Sequence, residues 1–171
     1  DGDEIFYEVP LRGVSSGPLP PSEIEVRDGA TSVANNGTIN VGATVVNTRL
    51  NKTITIANTG TGELKITSNS LIPVSTTTTQ GGSNTAATTV PMAFSIYNST
   101  IPISVPAGGQ ATFQISLFNL VAGNYAAKLT LFNNDSNENP TVINFTGTVS
   151  PDPVQGEIGL AVAGTNLATN S

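Results

Sequence analysis

The chain has 171 residues, a formal net charge of −6 and only 11% charged residues. Its six cations, Arg12, Arg27, Arg49, Lys52, Lys65 and Lys128, stand singly, which excludes a phosphate-neutralising face for nucleic acid and an anionic-membrane-binding patch. Cys and His are absent, so Ser–His and Cys–His catalysis and zinc sites of the usual ligands are excluded, and no stretch approaches the roughly 18 apolar residues of a transmembrane helix.

What remains is a chain with 37% hydrophobic residues, 5% aromatic residues and no Trp. It can build a sizeable core, and that core is aliphatic. Ser, Thr, Asn and Gly take the place of charged residues on the surface. A surface of short, neutral, hydrogen-bonding side chains is commoner outside cells than in cytosol, so an extracellular location is expected, secreted or on the cell surface.

The elements are strands. Residues 51–57 alternate Thr53 and Thr55 with Ile54 and Ile56. Residues 63–67 carry Leu64 and Ile66. Residues 75–90, Thr-rich and uncharged, predict a long surface loop. Residues 92–97 carry Phe94 and Ile96, and residues 101–105 carry Ile101, Ile103 and Val105. Residues 111–117 place Phe113, Ile115 and Leu117 on one face. Residues 125–131 do the same with Tyr125, Ala127, Leu129 and Leu131. Residues 141–147 set Ile143 and Phe145 against Val142, Asn144 and Thr146. Period-two alternation buries one face and wets the other. Polar turns separate the runs, at residues 58–60, 107–109, 122–124 and 133–140. Many short strands with polar turns predict an all-β sandwich or barrel.

The two ends of the chain resemble each other at an offset of 134 residues. Without gaps, Asp1, Glu4, Gly13, Ser16, Glu23, Ile24, Thr31, Ala34 and Asn36 meet Asp135, Glu138, Gly147, Ser150, Glu157, Ile158, Thr165, Ala168 and Asn170. That is nine identities over 37 aligned positions, against about two or three by chance at ordinary residue usage. Val9 with Ile143, Leu11 with Phe145, Val26 with Leu160 and Val33 with Leu167 are conservative matches. The expected organisation is therefore a terminal strand of a preceding repeat in residues 1–16 (or a donor strand), a complete domain in residues 20–150, and the first strand of a following repeat in residues 156–171. Prolines stiffen both linkers, 15–22 and 150–155, and remove backbone donors there.

Several blocks carry a family resemblance. They are Glu23-Ile24-Glu25-Val26, Gly42, the run from Lys52 through Asn58-Thr59-Gly60-Thr61-Gly62-Glu63-Leu64 to Ile66, Phe94-Ser95-Ile96, the run from Val105 to Gln110, Gly123-Asn124-Tyr125, Asn133-Asn134-Asp135 and Phe145-Thr146-Gly147-Thr148. In that order they resemble the bacterial choice-of-anchor D repeats, relatives of the ASPM/SPD-2/Hydin immunoglobulin-like domains. The resemblance implies an antiparallel immunoglobulin-like β-sandwich of seven to nine strands. It also implies large secreted or surface proteins of bacteria in which the repeat has no catalytic role. The Thr-rich insertion at residues 75–90 departs from the compact version.

Chemistry is sparse. The twelve acids lie mostly near termini, linkers and turns, and no enzymatic function or cofactor is expected. Asp135, Asn137 and Asn139 alternate as oxygen donors that suit calcium. The same residues also suit a hairpin turn whose Asx side chains bond their own backbone. Glycosylation sequons occur at Asn36, Asn51, Asn98, Asn134 and Asn144, with Asn51 and Asn144 expected to point outward. The expected function is a structural stalk, spacer or filament repeat. Its partners would be neighbouring copies of the same domain, in tandem or by strand exchange. The competing reading is an adhesin or carbohydrate-binding module that meets a surface glycan or protein ligand through residues 75–90, with Phe118 and Phe132 off the core face as a small aromatic patch.

Overall fold

The computed structural model describes residues 20–80, 83–86, 92–97, 103–153, 160–162 and 165–167. Its regular structure is all strand: β1 (Ile24–Asp28), β2 (Thr31–Val33), β3 (Thr38–Val45), β4 (Leu50–Asn58), β5 (Leu64–Gln80), β6 (Ser83–Ala86), β7 (Phe94–Tyr97), β8 (Ile103–Val105), β9 (Gln110–Leu117), β10 (Gly123–Asn133), β11 (Thr141–Ser150), β12 (Leu160–Val162) and β13 (Thr165–Leu167). A five-stranded sheet runs β2-β1-β4-β9-β7. A six-stranded sheet runs β3-β11-β10-β5-β6, with β8 also on β5.

The two sheets pack face to face around one aliphatic core. Ile54, Ile56, Phe113, Ile115 and Leu117 come from the first sheet. Leu64, Ile66, Leu129, Leu131, Ile143 and Phe145 come from the second. These are the alternating positions of the sequence, because one face of each pleated strand meets the opposite sheet. Tyr125, also buried, donates its hydroxyl to the Val121 carbonyl at 2.7 Å. A large ring thus enters the core without an orphaned oxygen.

The structure departs from expectation in three places. Part of the Thr-rich segment 75–90 is strand rather than loop. β5 continues to Gln80 and turns back into β6, with Thr77 opposite Ala86 and Gln80 opposite Ser83. Threonine is β-branched and favours extended backbone, so a run without large apolar residues still pairs as a hairpin. That hairpin and the short β2 raise the strand number of the two sheets above seven to nine. The sandwich is also not wholly antiparallel, since β3 lies parallel to β11. Residues 34–37 carry the chain back beside Val142 before β3 starts, so β3 and β11 run the same way.

Two poles follow from this topology. β1 starts at Ile24 opposite Asn58, beside the 59–63 and 133–140 turns, and this is the N-terminal pole. β11 runs away from it and ends at Ser150, whose carbonyl accepts the Val46 amide. The 46–49 and 118–122 turns join it at the C-terminal pole, where Asn47 N–H bonds the Asn119 carbonyl. The domain is entered and left at opposite ends.

The hairpin of β12 and β13 repeats an earlier one. Leu160, Ala161 and Val162 face Leu167, Asn166 and Thr165. Val26, Arg27 and Asp28 face Val33, Ser32 and Thr31. Each partner in the second set lies 134 residues before its counterpart in the first, so the register is the same.

Candidate functional site

The densest polar constellation among the described residues sits at the N-terminal pole. β4 carries its apolar alternation to Ala57 and then presents Asn58, which is 1% exposed. An amide this deep must find partners for its oxygen and both hydrogens. Its Oδ1 accepts from the amides of Gly60 at 3.1 Å and Glu23 at 3.3 Å. Its Nδ2 donates to the carbonyls of Gly62 at 2.7 Å and Val105 at 3.0 Å. Its own backbone bonds Gly109 and Gly108. One side chain thereby ties together the 59–62 turn, the end of β8 and the chain leading into β1.

That incoming chain is held by backbone as well. Thr59 N–H donates to the Glu23 carbonyl at 2.9 Å. Thr61 and Gly62 donate to the Pro21 carbonyl at 3.0 and 2.9 Å. The approach is close enough that a Cβ on Gly60 would lie 2.5 Å from the Pro21 oxygen and 2.6 Å from the Glu23 nitrogen. A Cβ on Gly62 would lie 2.0 Å from the Pro20 oxygen. The Asn-Thr-Gly-Thr-Gly block is therefore a socket. Asn58 supplies the bonds, and the two glycines supply the space for residues 20–23.

A second clamp comes from the β10–β11 turn. Asp135, 1% exposed, accepts the Ile24 amide on Oδ2 at 2.9 Å and the Asn137 amide on Oδ1 at 3.2 Å. Its own amide donates to Asn133 Oδ1 at 2.8 Å. Asn139 Oδ1 accepts the Asn133 amide at 3.1 Å. Of the alternating residues 135, 137 and 139, Asp135 and Asn139 thus use side-chain oxygens to accept backbone amides, Asn137 takes part through its own backbone amide, and Asp135 reaches across 111 residues to hold the first strand.

Asp135 has two other carboxylates near it. Glu23, Asp135 and Glu138 offer oxygens within 4.8 Å of one another. Glu23 follows the first linker in sequence, so its place here is visible only in three dimensions. Burial, then the charges of Asp135 and Glu23, push the Glu138 carboxyl above its ordinary range. The folded state thus holds this proton more tightly than the unfolded chain. The resulting stability is full below the ordinary glutamate pKa and is lost as pH rises through the raised one. Glu138→Gln is expected to raise the melting temperature at pH 7 by about 1–3 °C and to flatten the decline between pH 4 and 7, the scale of a partly screened charge. Thermal melts across that range check it; an unchanged slope would remove Glu138 from the pH response.

The sequon asparagines fall in different settings. Asn98 lies outside the described residues. Asn36 is exposed on the turn before β3 with φ of 65°. Asn51 is exposed and accepts the Ser116 hydroxyl. Asn134 donates Nδ2 to the Glu63 carbonyl at 2.9 Å, and Asn144 donates Nδ2 to the Asn36 carbonyl at 2.8 Å. The nitrogen that would carry a glycan is thus engaged in the fold at both. The aromatic pair is not a patch. Phe118 lies at the C-terminal pole, 5.1 Å under the Arg49 guanidinium. Phe132, 42% exposed, lies on the other sheet, next to the N-terminal turn. Their alternation read correctly as off the core face, but strands of two different sheets carry them to opposite poles.

No family model matches the chain, and no curated protein matches it. Solved structures share its architecture at low identity. The human CEP192 PapD-like domain 7, an ASH / PapD-like domain, has a TM-score of 0.54 at 17% identity, covering 86% of this chain and 99% of that one. A protein of unknown function from Porphyromonas gingivalis W83 has a TM-score of 0.51 at 12% identity, covering 78% of this chain and 50% of its own length. The fold is an immunoglobulin-like β-sandwich of the ASH / PapD-like kind.

Proposed function

We propose that the chain is a structural immunoglobulin-like module of a secreted or cell-surface tandem-repeat protein, serving as a stalk, spacer or filament unit. One observation carries this reading: the β12–β13 hairpin reproduces the β1–β2 register 134 residues later. A repeat of the sequence is thus matched by a repeat of the pairing. Placement of the two ends at opposite poles supports it, because modules so built can be strung end to end. Gly13 adds support through Gly147. A Cβ at Gly147 would meet the Leu117 side chain at 2.6 Å and the Gly42 carbonyl at 3.2 Å, so β11 needs glycine at that point. Residues 4–13 end on glycine at the equivalent position. The choice-of-anchor D resemblance fits the same picture, and a chain lacking His and Cys suits a role without catalysis.

The reading predicts a self-sufficient domain. Removing residues 1–19 together with 154–171 is expected to leave the melting temperature within about 3 °C of the full chain, since the described core lies between them. Differential scanning calorimetry of the two chains checks this. A fall above about 10 °C would make the end segments part of this domain and overturn the modular reading.

A further inference from the structure

The N-terminal pole combines negative charge with open space. Three carboxylates crowd within 4.8 Å beside a shallow cavity of ≈ 390 Å³ lined by Pro20, Thr61, Gly62, Glu63, Lys65 and Asn134. The C-terminal pole is complementary in character. Leu120 is 68% exposed there, the most exposed large apolar side chain among the described residues. Met92 is 49% exposed next to Ala93, whose carbonyl accepts the Phe118 amide. Arg49, stacked on Phe118, places an exposed cation at the same pole.

Chain length brings these surfaces together. At the 134-residue offset, Val154 corresponds to Pro20, where the incoming chain already lies in the N-terminal socket. Only residues 151–153 lie between the end of β11 and that point, and two of them are proline. Four Cα-to-Cα steps span at most about 14 Å. A leucine projecting from one pole closes much of that gap.

Resting on the tandem reading, we propose that the C-terminal pole of each module docks on the N-terminal pole of the next copy. Leu120 enters the cavity beside Thr61 and Gly62, and Arg49 approaches the Glu23–Asp135–Glu138 carboxylates. The partner is a second copy of this chain, met head to tail. The contact is small, so it holds because the linker is short and supplies a high effective concentration.

The absence of Cys makes the test clean. Full-length Leu120→Cys and Thr61→Cys chains, both changed at exposed positions, are mixed at about 1 mM total, the concentration a short tether provides. They are oxidised slowly and the disulfide-linked heterodimer is timed. The control pair is Leu120→Cys with Lys128→Cys, whose cysteine lies in the middle of β10, away from both poles. The expected result is heterodimer formation at least about tenfold faster for the Thr61 pair, equivalent to ~1.4 kcal/mol of preference, and slower when Arg49→Ala is added. Equal rates for the two pairs, or a faster Leu120–Leu120 homodimer, would overturn the docking. The modular reading would stand in either case if the trimmed chain keeps its melting temperature.

Discussion

Asn58→Leu is expected to lower the melting temperature by roughly 8–15 °C, the consequence of about 2–4 kcal/mol lost from a domain of this size. Leucine has the same branched outline of four side-chain heavy atoms, so the substitution removes bonds without opening a cavity. The Gly62 and Val105 carbonyls lose their donor, and the Gly60 and Glu23 amides lose their acceptor. Each group is then left in a place that water reaches poorly, and stranded polar groups cost more than the bonds themselves contribute. Asn58→Asp is the informative comparison. It keeps the acceptor for Gly60 and Glu23 but turns two carbonyl partners from bonded to repelled, so it should be no milder than leucine at pH 7. Calorimetry of the three chains reads this directly. A loss below about 1 kcal/mol for leucine would mean that the 59–62 turn closes without its hub.

Gly60→Ala is expected to be comparably severe for a steric reason. The added Cβ would sit within 2.8 Å of backbone atoms of Pro21, Ser22 and Glu23. Backbone on that side cannot rotate out of the way as a side-chain tip would. The segment leading into β1 must shift, and the Thr59-to-Glu23 and Thr61-to-Pro21 bonds go with it. About 2–4 kcal/mol is expected, on the scale of a disrupted backbone network. Gly62→Ala makes a telling contrast, because its clash is with Pro20, where the chain can peel away. It should cost less stability while exposing residues 20 and 21 to proteolysis. If Gly60→Ala melted with the parent chain, the close approach would not be a requirement of the fold.

The sandwich was legible in the sequence because each long strand reports its own buried face. Ile54 and Ile56, Phe113 through Leu117, Tyr125 through Leu131, and Ile143 with Phe145 all went where alternation placed them. Residues 75–80 and 83–86 were not legible as strand, because pairing there rests on threonine backbone preference with no alternation of large apolar residues in the sequence to signal it. The parallel β3–β11 contact was hidden for a different reason. Thr38 through Val45 pairs with residues more than a hundred positions away, and nothing local encodes direction. The socket was half legible. Asn58-Thr59-Gly60 reads as a turn from composition, yet the burial of Asn58 and the approach of Pro21 to Gly60 depend on a segment 35 or more residues earlier. Likewise the alternation at 135, 137 and 139 was visible, whereas the grouping of Asp135 with Glu23 and Glu138 required the fold.

Opposed poles have a mechanical consequence. In the tandem array proposed above, tension would pull β1 outward past the N-terminal pole and β11 outward past the C-terminal pole. Each strand is then pulled along its own axis, against β4 in one sheet and against β3 and β10 in the other. Its hydrogen bonds resist together in shear rather than parting one at a time as a peeled edge would. The Asn58 and Asp135 clamps lie at the point where force first meets β1. Forced rupture depends on the barrier to unfolding, and these two residues would set it at one end of every link.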